Sequence, residues 1–362
     1  SFHDLLAFEA TCHSWRAVFS SCSCKYTLAA SFPPLLLQPD LSLISTHSGP
    51  LKKFMVPTCP CHVTDIANQD TTYKYFEIPI LWWSRGNNAS PSPREWFGFS
   101  GASYGHLIFS SNKSCVVFDV FTRFSVSSPQ LPVLESTGLI YGALTAPLSS
   151  PNSHLIIKAV SQNLFWRVGS QSWVGHSLYH GPIKQIVIFQ GKVFGMDSDR
   201  RLFKVDLTPQ IRIQELLVIE SRMINKRHFS NAWLVACGDM LLLVGFRRID
   251  GIIGRTFEVF RLDQSTEPAL WLKMEKLENW AIFISRDQRS QALSCINPEK
   301  WGGRSNCIYC YDWKSKHWIA LELGKQWRRD GSELESNVRV TMDCGTRARP
   351  MWVIPSMFSL RR

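Results

Sequence analysis

From about residue 73 onward, apolar residues come in short runs with turn-forming residues between them. Tyr104-Gly-His-Leu-Ile-Phe-Ser, Cys115-Val-Val-Phe-Asp-Val-Phe and Arg123-Phe-Ser-Val follow in quick succession. His154-Leu-Ile-Ile-Lys-Ala-Val, Gln185-Ile-Val-Ile-Phe, Met240-Leu-Leu-Leu-Val and Cys307-Ile-Tyr-Cys-Tyr-Asp continue the pattern. Runs of about 4–8 residues rich in β-branched and aromatic side chains predict strands, and their number predicts an all-β assembly. Beneath them lies a weak repeat. A strand ending in Asp, then a turn and another strand, recurs at Asp119, Asp206, Asp263 and Asp312. Gly169 fills the same slot between the first two. The mean spacing is about 48 residues, within the period of a four-stranded propeller blade. A body of roughly 300 residues then holds about six blades; the alternative is a β-sandwich pair without a repeat.

Residues 1–24 differ. Phe2 to Cys12 reads as a short helix capped by Asp4, with Leu5, Phe8 and Cys12 on one face. Ser14 is placed to cap a second helix, Trp15 to Phe19. Two helices this short cannot bury their own apolar faces and need a partner. Residues 25–69, with many Pro and Ser, read as a linker and irregular lead-in, and residues 70–362 as the propeller-like domain. The C-terminal Pro350-Met-Trp-Val-Ile-Pro355 is expected to close the ring by pairing in a blade with N-terminal residues, around Tyr73 to Ile78.

Composition narrows the class. Hydrophobic residues are 45% of 362, so most of the chain can bury a core. No apolar run reaches the roughly 18 residues of a membrane span; Ala232 to Phe246 is broken by Gly238 and Asp239. The start at Ser1 lacks signal-peptide order, so a soluble protein of the nucleus or cytoplasm is expected, its N-terminus cut from something longer. The net charge of +11 falls wholly after residue 150, where 31 basic residues face 20 acidic ones. The basic residues are scattered, without a nucleic-acid-binding signature, so an ordinary basic surface is expected, one suited to an acidic protein partner if the charge clusters on one face, and nucleic acid is not expected.

Chemistry-bearing motifs are few. Among 11 cysteines, Cys22 with Cys24, Cys59 with Cys61 and His62, and Cys307 with Cys310 suggest metal at first sight. A structural zinc site usually needs two pairs of Cys-x₂₋₄-Cys type. Only Cys307 and Cys310 have that spacing, and on a strand they would face opposite sides. Reduced, buried thiols are expected. No nucleophile elbow, P-loop, dinucleotide fingerprint or zinc-protease motif is present, and the ten histidines show no metal spacing. The expectation is a protein that is not an enzyme and carries no cofactor or metal. Gly302-Gly303 is a single kelch-like glycine doublet.

Asp4-Leu-Leu-Ala-Phe-Glu-Ala-Thr-Cys-His-Ser-Trp-Arg-Ala-Val18 resembles the second half of an F-box, matching at Asp4, Leu5, Cys12, Trp15 and Arg16, with Thr11 where Val is usual. The family's opening Leu-Pro-x-x-Leu-Leu helix does not precede Ser1, so the match is to a truncated F-box. Trp233-Leu-Val-Ala-Cys-Gly-Asp-Met-Leu-Leu-Leu-Val, Phe257-Glu-Val-Phe-Arg-Leu-Asp, Trp271, Trp280-Ala-Ile-Phe-Ile and Gly303-Arg-Ser-Asn-Cys-Ile-Tyr309 resemble the C-terminal domain of a large plant F-box family, a domain that long had no assigned function. The resemblance implies a substrate receptor of a Skp–cullin–F-box ubiquitin ligase. Its F-box would bind the Skp adaptor, and through it cullin, while the propeller-like domain presents a target protein. The adaptor contacts it implies are Leu5, Leu6, Phe8, Cys12, Trp15, Arg16 and Val18. Leu5, Leu6 and Val18 are the better contacts, and Trp15 suits the F-box core. Asn306, Cys307 and Tyr309 read as packing residues. A lectin-like or small-molecule-binding propeller without ligase function is the alternative.

Overall fold

The computed structural model describes residues 33–39, 58–67, 71–79, 98–132, 141–177, 183–219, 229–249, 254–312, 317–325 and 350–354, apart from positions 112, 122, 123, 149, 160, 161 and 286. Among them every regular element is a β-strand, apart from one 3-10 turn at Pro298–Trp301. The two helices expected over residues 1–24 lie outside the described residues.

Six sheets make the fold. Blade 1 contains β1 (Leu35–Pro39), β2 (Thr58–Asp65) and β3 (Thr71–Pro79). Blade 2 is β4 (Gly98–Ser103), β5 (His106–Ser110), β6 (Cys115–Asp119) and β7 (Ser125–Ser127). Blade 3 is β8 (Tyr141–Leu144), β9 (His154–Lys158), β10 (Gln162–Arg167) and β11 (Val174–Ser177). Blade 4 is β12 (Gln185–Phe189), β13 (Lys192–Met196), β14 (Leu202–Asp206) and β15 (Arg212–Leu216). In blade 5, β16 (Val218–Ile219) lies parallel to the outer edge of a sheet otherwise made of β17 (Phe229–Cys237), β18 (Met240–Ile249), β19 (Gly254–Asp263) and β20 (Ala269–Met274). Blade 6 holds β21 (Trp280–Phe283), β22 (Leu293–Ile296), β23 (Cys307–Asp312) and β24 (His317–Glu322). The last strand, β25 (Met351–Val353), returns to blade 1 and pairs antiparallel with β1. Strands β4, β8, β12, β17 and β22 lie against one another in succession around the axis. This is a six-bladed propeller.

The apolar runs have a direct cause. The buried core divides into six clusters, one between each pair of neighbouring blades. In β5, Leu107 and Phe109 pack with Leu35 of blade 1, while Ile108 between them packs with Leu155 of blade 3. In β10, Leu164 and Trp166 face blade 2 and Phe165 faces blade 4. Successive side chains point to opposite faces of a strand, and here both faces are covered. Alternation of apolar with polar residues is therefore lost in the inner strands.

Turn chemistry accounts for part of the expected repeat, at Asp119 and Asp263, whereas Asp206 pairs with Lys204 at 3.5 Å instead. Oδ1 of Asp119 accepts a hydrogen bond from the Phe121 N–H at 2.9 Å, and Oδ1 of Asp263 one from the Ser265 N–H at 2.9 Å. Asp65 does the same for the Ala67 N–H at 3.0 Å. Each carboxylate closes the turn after the third strand of its blade, an Asx turn. At the blade 3 slot Gly169 instead adopts φ +88°. Asp65 belongs to the series but falls where the sequence pattern predicts a linker.

Two expectations need correction. The segment expected to be irregular supplies β1 and β2, so Leu35–Pro39 and Thr58–Asp65 belong to blade 1. Pro33, Pro34, Pro39 and Pro60 obscured it, since proline lacks the N–H a strand ladder uses. The closing strand does join the blade holding residues 73–78, but its direct partner is β1, with Leu36 opposite Trp352; residues 73–78 form part of the outer strand β3.

Blade 6 departs from the simple up-and-down order. The chain lays β21 in the second position, returns antiparallel as the innermost β22, then crosses to β23 parallel to β21. The 3-10 turn makes the crossing. Gly302 ends it at φ +87°, and a Cβ on Gly303 would collide with the Trp301 ring. The glycine doublet thus serves this one crossover.

Candidate protein-interaction surface

The innermost strands surround an axis filled by the chain itself. Between β21 and β22, Ser285 and the segment Asp287 to Gln291 bind inner strands of three other blades. The Ala102 N–H donates to the Arg289 carbonyl at 3.0 Å and the Gln291 N–H to the Ala102 carbonyl at 2.9 Å, both involving β4. Gln288 Nε2 donates to the Ala232 carbonyl on β17 at 3.2 Å. The Trp352 N–H on β25 donates to Ser285 Oγ at 3.1 Å. At the centre, the Arg289 guanidinium meets both oxygens of Asp287, at 2.9 and 2.6 Å, and donates to the Phe99 carbonyl at 2.6 Å. It also lies over the Phe99 ring, 4.9 Å from its centroid. Both side chains are buried. A Cβ on Gly101 would strike the Gly142 carbonyl and come within 2.9 Å of the Arg289 carbonyl. Ser285, Asp287, Arg289 and Ser290 are buried by these contacts, although charged and hydroxyl side chains alone do not mark the segment as interior.

Among the residues that carry the resemblance to the plant F-box domain, Asn306, Cys307 and Tyr309 pack. Asn306 Oδ1 accepts the Leu277 N–H at 2.8 Å. Tyr309 stacks on Phe283 with centroids 4.7 Å apart, beside Trp318 and Trp301, and its hydroxyl accepts the Arg304 N–H at 2.8 Å. Cys307 faces blade 1 and Cys310 faces blade 5, on opposite sides of β23 as their spacing required. Burial pushes the thiols of Cys115 and Cys237 up to about 12 and that of Cys295 to about 11. Such thiols stay protonated at neutral pH and make poor nucleophiles. Among the described residues no three metal-ligating side chains gather. The adaptor contacts implied by the F-box resemblance, from Leu5 to Val18, lie outside the described residues.

His106 and His154 occupy equivalent places at the start of the second strands of blades 2 and 3, opposite Asp119 and Arg167 in register. Burial is the largest influence on each and holds both below the ordinary 6.5. For His106 the Asp119 carboxylate, 3.7 Å away, opposes it without overcoming it. The unfolded chain therefore takes up these protons first as pH falls, and stability drops below about pH 6.5. The urea midpoint is expected to be lower at pH 5.5 than at pH 7.5. His106→Gln should reduce that fall; an undiminished fall would assign it to other groups.

The two ends of the propeller carry different mixtures of charge. Because strands alternate in direction, loops joining second to third strands share one end. They carry Lys113 in blade 2, Lys158 at the end of β9, and Arg200 with Arg201 beside Asp197 and Asp199 in blade 4. The third strands finish at the other end with Asp65, Asp119, Asp206 and Asp263, where Arg167, Lys192 and Arg212 dilute the negative charge. On the basic end Lys158 and Lys184 both approach the Tyr141 ring, at 5.4 and 5.5 Å from its centroid. Neither lysine could be singled out in sequence, since 26 residues and a strand pair separate them.

Six blades closed by a C-terminal strand around a filled axis define a β-propeller suited to protein binding. The chain belongs to the KIB1-4 beta-propeller family, whose model matches residues 76–333. A comparison with curated proteins gives no match. Among solved structures, the N-terminal domain of Nup159 is 11% identical over 59% of this chain, with a TM-score of 0.34; the chain spans 56% of that structure's length. The extracellular domain of BT4673 from B. thetaiotaomicron is 8% identical over 65% of this chain and 29% of its own, with a TM-score of 0.30.

Proposed function

We propose that the chain is the substrate-recognition subunit of a Skp–cullin–F-box E3 ubiquitin ligase, acting in the nucleus or cytoplasm. The observation that carries this reading is order along one chain: an F-box-like segment, Asp4 to Val18, precedes a domain of the KIB1-4 beta-propeller family. In this reading the propeller holds a target protein, and the N-terminal segment engages the Skp adaptor through Leu5, Leu6, Phe8, Cys12, Trp15, Arg16 and Val18. Cullin is recruited through that adaptor, and ubiquitin transfer belongs to other subunits. The filled axis weighs against the lectin-like or small-molecule alternative, because the chain's own Arg289 and Asp287 occupy the centre.

A pull-down with purified Skp adaptor tests the assignment. The chain from Ser1 to Arg362 is compared with a version carrying an upstream Leu-Pro-x-x-Leu-Leu segment, and the proposed contacts Leu5, Leu6, Phe8 and Val18 are apolar side chains whose burial would drive the binding. Burial of each such side chain is worth roughly 1.5–3 kcal/mol. Adding an upstream Leu-Pro-x-x-Leu-Leu helix should give tight binding, and Leu5→Asp in that longer protein should abolish it. No binding after the addition removes the ligase reading.

A further inference from the structure

Lys158 and Tyr141 are register partners on β9 and β8, so their side chains emerge side by side. Lys184 precedes β12, which lies against β8, and its N–H donates to the Met196 carbonyl at 2.9 Å. Both ammonium groups are thus mounted on the sheet framework rather than on loop tips. Each lies within 5.5 Å of the same ring centroid. Among the described residues, neither makes an ion pair with a carboxylate. Burial and the neighbouring Lys184 charge lower the Lys158 pKa, as two like charges sharing half-buried space require. A fold holds two cations together against their repulsion at a cost that an incoming anion relieves.

We propose that Lys158 and Lys184, set over Tyr141, are the anchor point at which the basic end of the propeller docks an acidic segment of a protein partner. The proposal rests on reading the propeller as a protein-binding module and is independent of the ligase assignment. Surrounding charges favour a protein over a nucleic acid. Asp197, Asp199 and Glu215 stand among the basic residues of this end, and Arg201 is paired with Asp197 at 2.8 Å. A nucleic acid presents an unbroken row of phosphates and binds best to an uninterrupted basic track. Separate carboxylates along a peptide can instead meet the lysines and avoid the acids.

The test uses the full chain and a fluorescein-labelled peptide of alternating Glu and Gly, read by fluorescence anisotropy. Binding that weakens as salt rises is expected, because exposed charges are screened within about 8–10 Å. Lys158→Met with Lys184→Met keeps the aliphatic stems over Tyr141 and should weaken binding about tenfold or more. Circular dichroism should show a melting temperature no lower for the double variant, since the two like charges are removed. Lys158→Arg with Lys184→Arg should retain binding, and the matching Gln–Gly peptide should not bind. Three results overturn the proposal: no binding of the Glu peptide, equal binding by the methionine variant, or tighter binding of a phosphoserine peptide or single-stranded oligonucleotide at the same lysines. No Skp binding by the protein with the added upstream helix, with peptide binding retained, would strike the ligase reading alone.

Discussion

Arg289→Ala is expected to destabilise the whole propeller by about 3–5 kcal/mol, as breaking a buried ion pair by removing one partner typically does. The variant strands the Asp287 carboxylate, which is 7% exposed, without its bidentate partner. It also frees the Phe99 carbonyl and leaves the Phe99 ring uncovered. Because the guanidinium ties blade 6 to β4 of blade 2 across the axis, the loss should appear in the global transition and not as local fraying. Chemical denaturation of the two proteins measures it. The double variant Asp287→Leu with Arg289→Met should recover only part of the loss: it removes the stranded charge, but leaves the Phe99 carbonyl and the Arg289 N–H, which bonds Asp287 Oδ1 at 3.1 Å, without partners. A change below about 1 kcal/mol in the single variant would mean that water reaches the axis and solvates Asp287.

Ending the chain at Arg349 should lower the melting temperature by about 10 °C or more. The truncation removes Met351, Trp352 and Val353, all buried, whose burial is worth roughly 1.5–3 kcal/mol each. In a body this large each kcal/mol moves the transition by roughly 2–4 °C. It also strips β1 of its inner partner, opening an edge in the middle of the ring. Trp352 contributes most: its ring meets Phe283 edge-on at 5.1 Å and seals the cluster between blades 6 and 1. Trp352→Ala alone should cost about 3–5 kcal/mol. An unchanged melting temperature after truncation would show that the ring does not depend on this strand for closure.

The F-box resemblance and the propeller stand on different footing. The propeller rests on the fold and on the family match over residues 76–333, whereas the adaptor contacts rest on Asp4 to Val18 alone. The two experiments on Skp binding and on the acidic peptide therefore address separate parts of the chain.

Sequence alone carried whatever depends on near neighbours. Strands such as Cys115–Asp119 and Leu202–Asp206 were legible because β-branched and aromatic runs have few other stable uses. The blade period was legible because Asp119 and Asp263 close their turns with a bond to a residue two positions on. The opposite faces of Cys307 and Cys310 followed from the two-residue period of a strand. Tertiary structure decided what depends on distant partners. Leu36 meets Trp352 from 316 positions away, and no local pattern specifies which strand completes a ring. Asp287 and Arg289 carry no signal of burial in sequence, and only contacts with strands of other blades make them a buried brace. Lys158 and Lys184 belong to different blades, and only the packing of β12 beside β8 brings their charges over one ring.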